Sequence, residues 1–288
     1  MKFAVIGAAG QLGRDLCPRL GGEVVPFDRT RADLTKPELL RATLNDLRPN
    51  VVVNCAAYNF VDKAESEPDA AFAVNAIGPR SLAKRCAKRE TTLVHFSTDY
   101  VFGLDGSRTT PWTEADAPGP VSIYGASKLA GEHFVRAICP KHVIVRTCGL
   151  YGVWGSGGKG TNFVETMLRL AGQGKPLRVV ADQRCTPTCT ADLAEAVVAL
   201  LATGRHGLFH ITSGGDCSWH EFAAAIFEYA KANADLAPTT TAAYGARARR
   251  PAYSVLSNSA LSQIGVAPPR LWRDALRAYL DERRKKQS

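Results

Sequence analysis

Tyr124 and Lys128 stand four residues apart in Tyr124-Gly-Ala-Ser-Lys128, at the start of a stretch with helical spacing. Residues i and i+4 share one face of a helix, so the two side chains can meet. A tyrosine titrates near ~10 and is a poor acid or base at neutral pH. An ammonium beside it favours the phenolate and brings the group toward the working range. The pair therefore predicts a proton donor for a carbonyl undergoing reduction. A further hydroxyl, Thr98, lies in the run Phe96-Ser97-Thr98-Asp99-Tyr100. Open-sheet enzymes bind ligands at the C-terminal ends of their parallel strands. That places Thr98 to hydrogen-bond the same carbonyl.

A second motif precedes these. Gly7-Ala8-Ala9-Gly10-Gln11-Leu12-Gly13 follows a strand-like run and opens a helical one. Glycines there let the backbone turn sharply and approach a pyrophosphate, with helix N–H groups facing it. Their spacing, GxxGxxG, differs from GxGxxG, but their place after an N-terminal strand suits a dinucleotide. Asp28 ends the next apolar run, where an acid accepts from the adenosine ribose and favours NADH. Arg29 follows directly, where an arginine holds a 2′-phosphate and favours NADPH. The two signals conflict, so the coenzyme stays open between NADPH and NADH.

These residues need a frame. Residues 2–6, 24–27, 51–55, 92–97 and 142–146 are short apolar runs that read as buried parallel strands. Residues 12–20, 37–47, 68–89 and 125–138 carry helical spacing between them. The alternation predicts an α/β chain: a Rossmann-type doubly wound parallel sheet with a smaller C-terminal substrate-binding region. Residues 1–150 are expected to form the NAD(P)-binding Rossmann domain. Residues 151–288 form mainly the substrate-binding region, with segments near 178–212 packing back onto the first domain. In the second part the spacing predicts helices over 162–171, 192–202 and 218–231, and a strand over 207–212. Ser218 and Glu221 make a capping box. Residues 152–160 are rich in glycine and read as a flexible loop.

Composition sets limits. The chain has 288 residues, 45% of them hydrophobic and 22% charged, the balance of a soluble globular enzyme. No apolar run approaches the ~20 residues of a membrane span, and no leader pattern opens the chain. The cytoplasm is the expected location. The eight cysteines are scattered, without CxxC pairs, and read as buried thiols rather than metal ligands. The formal charge is +9. It comes without any nucleic-acid motif and points to small anionic ligands. The tail Arg283, Arg284, Lys285, Lys286 reads as solvated. Arg184 and Arg250 are the candidates for a substrate diphosphate, because guanidinium forks match phosphate oxygens, with surface salt bridging an equal alternative for each. His95 and His210, in apolar runs, read as satisfied core residues.

Together the glycine turn, Thr98 and YxxxK are similar to the extended short-chain dehydrogenase/reductases, and within them to the family of dTDP-4-dehydrorhamnose reductases. The matching segments include Asn54–Glu65, Val74-Asn75-Ala76, STDYVF at 97–102, YGASKLAGE at 124–132, NFVETML at 162–168, residues 182–193 and RPAYSVLSNSAL at 250–261. They run through almost the whole chain. The resemblance implies hydride transfer from NADPH or NADH to C4 of a dTDP-linked 4-keto-6-deoxy sugar, giving dTDP-L-rhamnose from its 4-dehydro precursor. Tyr124 would be the proton donor and Lys128 would hold the nicotinamide ribose. Thr98, helped by Asp99, would bind the sugar carbonyl. Gly10, Gln11 and Leu12 would lie on the pyrophosphate, Asp33 and Leu34 would bracket the adenine, and Ala56, Ala57 and Tyr58 would line the nicotinamide side. Asn75 would support that side, and Asn162 would lie on the substrate side.

Many members carry Ser-Trp after the strand end Arg-Thr, whereas Arg146-Thr147 is followed here by Cys148-Gly149. Trp154, five residues on, is the candidate replacement. Trp219 either fits the family or anchors its helix. Some members dimerise around magnesium. No full ligand set can be placed here, Asp192 reading as a helix N-terminal acid, and the chain is expected as a monomer or homodimer. Two rival readings stay open: a reductase or epimerase of another nucleotide-linked 4-keto sugar, and a non-catalytic regulatory subunit of the same fold.

Overall fold

The nearly unbroken apolar runs become the strands of one parallel sheet, buried on both faces as such runs require. A computed structural model describes residues 1–155 and 160–287. Six strands, β1 (Lys2–Ile6), β2 (Glu23–Phe27), β3 (Val51–Asn54), β4 (Thr92–Thr98), β5 (His142–Thr147) and β6 (Gly207–His210), line up as β6-β5-β4-β3-β1-β2. Pro26, which cannot donate to a ladder, sits in β2, an edge strand. β4 and β5 are in register, with Thr98 opposite Thr147.

One face of the sheet is covered by α1 (Gln11–Leu16) and α6 (Thr190–Ala202) around a core that includes Leu16, Val53, Val145 and Leu193. The other is covered by α2 (Pro37–Leu47), α3 (Gly78–Lys88) and α4 (Ile123–Ile138) around Ile6, Phe27, Leu82 and Ile144. A second core, built on Tyr151, Phe222 and Trp272, joins α5 (Phe163–Ala171), α7 (Trp219–Ala230) and α8 (Trp272–Gln287). The Ser218–Glu221 capping box is present.

Four elements differ from expectation. The first helix stops at Leu16 and tightens into a 3₁₀ turn, Cys17–Arg19, at Pro18. The helix expected over 68–89 contains a π-turn, Ala73–Ile77, ahead of Pro79. Proline cannot donate to the carbonyl four residues back, which is that of Asn75, and a wider turn absorbs the misfit. The strand expected over 207–212 ends at His210. The basic tail is not loose: α8 buries Trp272, Ala275, Leu276, Tyr279 and Leu280 at helical spacing. Arg283 follows on the same stripe and grips Glu165 at 2.6 Å.

Within the glycine-rich stretch 152–160, residues 156–159 lie outside the described residues. All eight cysteines are unpaired, six of them buried. No helix among the described residues is long and apolar enough to cross a membrane.

Candidate active site

A cleft of about 720 Å³ runs across the C-terminal ends of β2, β1, β3, β4 and β5, a volume typical of small-molecule sites. Its floor is the glycine turn between β1 and α1. Gly7 has φ +75°, and a Cβ there would stand 2.7 Å from the amide nitrogen of Ala56. A Cβ on Gly13 would stand 2.6 Å from both Ala8 Cα and the Gly7 carbonyl oxygen. Side chains at these positions would run into backbone and force open the tight turn over which a dinucleotide backbone can pass closely. Gly10 and Leu12 line the cleft with them. Gln11 donates through Nε2 to the Leu150 carbonyl at 3.2 Å, while its Oε1 is buried without a protein partner. The donor set and the cradle fit a dinucleotide.

At one end of the cleft stand Asp28 and Arg29. Asp28 Oδ1 accepts from the hydroxyl and N–H of Thr30 and from the N–H of Arg31. The Thr30 hydroxyl leads these contacts in holding the carboxyl below its ordinary range. Arg29, largely exposed, reaches Asp33 at 3.2 Å. Asp33 also accepts from the N–H and hydroxyl of Thr35. Burial pulls its carboxyl up, but these contacts outweigh it and hold the group low. Leu34 is buried beneath Gly78. Asp33 and Leu34 are thus beside the cleft, not on its lining.

Ala56 and Ala57 line the middle. Tyr58 turns away, its hydroxyl donating to Glu67 at 2.9 Å. Asn75 splints this loop: its Oδ1 accepts from the Tyr58 N–H, and its Nδ2 donates to the Tyr58 carbonyl and to Ser127. Asn75 therefore acts from behind the wall.

The chemistry gathers where α4 meets the ends of β4 and β5. Ser122 caps α4 by accepting from Gly125 N–H at 3.2 Å. Gly125 and Gly131 press against the backbone carbonyls of Tyr100 and Asn75, closer than any Cβ could stand. This packing brings Tyr124 and Lys128 to Thr98, and all three line the cleft. Lys128 Nζ donates to the Phe96 carbonyl at 2.6 Å. Burial pushes its ammonium down to about 8, against the pull of Glu132 one turn on. Tyr124 is pushed up to about 12, chiefly by burial, with Asp99 and Cys148 adding to the rise and a hydrogen bond with Thr98 opposing it. The expectation of a phenol brought toward neutral pH is corrected: burial outweighs the help that Lys128 gives the phenolate. The ammonium is tied to Phe96, and the phenol keeps its proton. Thr98 donates to Asp99 Oδ1 at 3.0 Å and accepts from the Tyr100 N–H at 3.2 Å. Asp99 is raised by burial and also accepts from the Cys148 thiol at 3.0 Å. Tyr100 packs edge-on against Tyr124 at 5.8 Å.

Beneath this group lies a buried ion pair, Glu132 with Arg146, whose part in the site the motifs do not reveal. Arg146 reaches Glu132 with two hydrogen bonds, 2.9 and 2.7 Å, and Ser97 joins the same carboxylate. His210 is satisfied, by the Trp112 carbonyl and Arg146. His95 is only half so: Nδ1 meets Asn54, and Nε2 has no partner among the described residues. Its burial, with Lys128 nearby, keeps the ring neutral. The Thr147 hydroxyl, also on the cleft lining, is buried without a protein partner.

The substrate-side residues divide. Asn162 lines the cleft with Phe163 and Trp219. It caps α5 by accepting from Glu165 N–H and holds the Gly152 carbonyl at 2.9 Å. Trp154 lies elsewhere. Its indole N–H donates to Asp15 at 2.9 Å, and its ring carries Lys286 at 3.5 Å and Arg14 at 5.5 Å. It does not replace a tryptophan at position 149. Arg184 is held by Asp216 at 2.6 Å and Glu221 at 3.4 Å. Arg250 is held by Asp62 at 2.8 Å. Both guanidinium forks are taken by carboxylates away from the cleft lining, a competition that spacing alone does not reveal. Asp192 sits in the first turn of α6 and meets Arg270 at 2.7 Å. Among the described residues no three His, Cys, Asp or Glu side chains cluster to hold a metal.

Comparison with known proteins gives this geometry its relatives. Residues 1–285 match the RmlD substrate binding domain family. The chain belongs to the RmlD family. It is 43% identical over 285 residues to the spore coat polysaccharide biosynthesis protein SpsK of Bacillus subtilis, covering 98% of each chain. It is 41% identical over 280 residues to the dTDP-4-dehydrorhamnose reductase of Mycolicibacterium smegmatis, covering 96% of this chain and 84% of that one. The crystal structure of dTDP-4-dehydrorhamnose reductase from Bacillus anthracis, in complex with NADP, superimposes with a TM-score of 0.92 at 39% identity. That match covers 98% of this chain and 99% of that one. The doubly wound sheet expected from the apolar runs is thus the fold of the RmlD family.

Proposed function

We propose that this chain reduces dTDP-4-dehydro-β-L-rhamnose to dTDP-L-rhamnose, taking its reducing equivalents from NADPH or NADH. The observation that carries this reading is the meeting of Thr98, Tyr124 and Lys128 at one end of a glycine-floored cleft, in a chain of the RmlD family. The relatives named for this reaction, and the NADP held by the Bacillus anthracis protein, support it. We take residues 1–150, with later segments near 178–212, as the cofactor-binding part and 151–288 as mainly substrate-binding. Eight unpaired cysteines suit a reducing compartment such as the cytoplasm.

The dinucleotide, when bound, supplies the hydride. Gly7, Gly10 and Gly13 give it a close backbone approach, with Gln11 and Leu12 beside them. Asp28 and Arg29 meet the adenosine end. Ala56, Ala57, Lys128 and, from behind, Asn75 shape the nicotinamide end. Thr98 turns its hydroxyl proton from Asp99 to the 4-keto oxygen and so orients it. Tyr124, protonated at working pH, gives its proton to that oxygen as charge develops there. Lys128, buried and positive, stabilises the phenolate left behind. The phenolate is then reprotonated from solvent.

The test is oxidation of reduced nicotinamide by the purified chain with a panel of nucleotide-linked 4-keto sugars. Tyr124→Phe is expected to lower kcat by about 10²–10⁴-fold and to leave cofactor binding unchanged. Turnover confined to a donor without thymidine would sink the named substrate. Absence of turnover on every 4-keto sugar, with cofactor binding intact, would favour the regulatory reading.

A further inference from the structure

After Thr147 the chain leaves β5 and turns at Gly149, where φ is +54°. A Cβ there would stand 3.2 Å from Pro187 Cα and 3.4 Å from Cη2 of Trp219. Trp219 is the first residue of α7, half-buried, and comes from the other core of the molecule. Its indole packs on Phe163, the first residue of α5, with ring centroids 4.8 Å apart. Phe163 in turn stacks on the fully buried Phe222 at 5.6 Å and 15°. Both Trp219 and Phe163 line the cleft that holds Thr98 and Tyr124. Two helix starts therefore present a braced aromatic wall, and the missing side chain at 149 lets it close on the end of β5.

Position decides what the wall faces. Thr147 is the register partner of Thr98 on the neighbouring strand. Parallel neighbours lie about 4.8 Å apart and residues advance about 3.3 Å, so Gly149, two residues past Thr147, stands on the order of 10 Å from Thr98. That is the reach of one sugar ring from a carbonyl held by Thr98. It falls short of a base on the far side of a diphosphate. The C–H face of a pyranose packs on a flat aromatic surface, and a 6-deoxy sugar adds an apolar methyl.

We propose that Trp219, braced by Phe163 and admitted by Gly149, is the specificity-determining wall for the 6-deoxy pyranose ring of the substrate. This rests on the reduction proposed above. A helix anchor alone would need only apolar bulk, whereas a sugar wall needs the flat ring.

The experiment measures equilibrium binding of dTDP-L-rhamnose and of dTDP to the enzyme saturated with NADP, in wild type, Trp219→Ala and Trp219→Leu. Leucine keeps an apolar anchor for α7 and removes the flat face, so it serves if the alanine variant folds poorly. Both variants should weaken dTDP-L-rhamnose by roughly tenfold while leaving dTDP and NADP affinity close to wild type. Their preference for 6-deoxy over 6-hydroxy 4-keto sugars in kcat/KM should also shrink. Equal weakening of dTDP and dTDP-L-rhamnose would assign the ring to the base and overturn the proposal. Unchanged sugar binding in the leucine variant would reduce Trp219 to an anchor and overturn it too. Wild-type turnover tests the reduction reading separately. If wild type accepts a different 4-keto sugar, the same variant-to-wild-type ratio on that sugar still decides Trp219.

Discussion

Glu132→Gln strikes the pair beneath the reacting group. Glu132 and Arg146 have side chains only 1% and 2% exposed and are joined by two hydrogen bonds. Glutamine keeps the shape and one acceptor but takes from the buried guanidinium its hydrogen-bonded counter-charge, leaving Glu114 as a more distant one. Breaking one side of a buried pair costs about 3–5 kcal/mol, and the retained acceptor places this change near the lower end. Each kcal/mol moves the melting midpoint of a chain this size by roughly 2–4 °C, so a fall of roughly 6–12 °C is expected by calorimetry. The substitution also reaches Lys128. Burial pushes that ammonium down to about 8, and Glu132 is the charge opposing the fall. Because the mechanism needs Lys128 charged, kcat/KM should decline as pH rises through about 8. In the glutamine variant burial acts unopposed, and the decline should begin at lower pH. Tyr124, pushed up to about 12, stays protonated and adds no limb in that range. Glu132→Asp should recover part of both effects. A melting shift under about 2 °C, with the alkaline limb unmoved, would refute the reasoning.

Gly13→Ala should lower the melting midpoint and weaken dinucleotide binding, because its Cβ would stand 2.6 Å from backbone atoms of Ala8 and Gly7 and push the turn out of place. Such overpacking costs about 1–3 kcal/mol, and a nucleotide titration with wild-type affinity would count against the cradle. Arg29→Ala should weaken NADPH by roughly tenfold, the size of one charge-assisted hydrogen bond, and spare NADH. Equal loss of both coenzymes would remove Arg29 from the 2′-phosphate. Cys148→Ala withdraws the thiol that donates to Asp99 Oδ2 at 3.0 Å. It should lower the melting midpoint and kcat, while Cys148→Ser, which keeps a donor, should restore both. An unchanged alanine variant would show that Asp99 is held without the thiol.

Local chemistry carried much of this protein's design in one dimension. The apolar runs at 2–6, 51–55 and 142–146 cannot be satisfied except as buried parallel strands, and they are found there. The glycine turn belongs after the first strand because only glycine leaves room against Ala56 and Ala8. Tyr124, Lys128 and Thr98 were legible because helix periodicity and strand ends determine where such side chains project. Pro79 shows the limit of periodicity: the spacing reads as one helix, yet a missing N–H opens a π-turn within it. The basic tail shows another, since its charge masks the apolar stripe that docks α8.

What tertiary structure alone decided is which charges are already spent and which rings meet. Sequence leaves Arg184 and Arg250 open between phosphate and salt bridge, and Asp216 and Asp62 reach them from 32 and 188 residues away. Trp154 is five residues from Gly149, yet it turns to Asp15, while Trp219, seventy residues on, closes against Gly149. Side-chain spacing carries no information about such meetings, because they follow from how two cores pack. Residue type and period determined the reaction machinery, and the packing of the second core against the sheet decided what surrounds it.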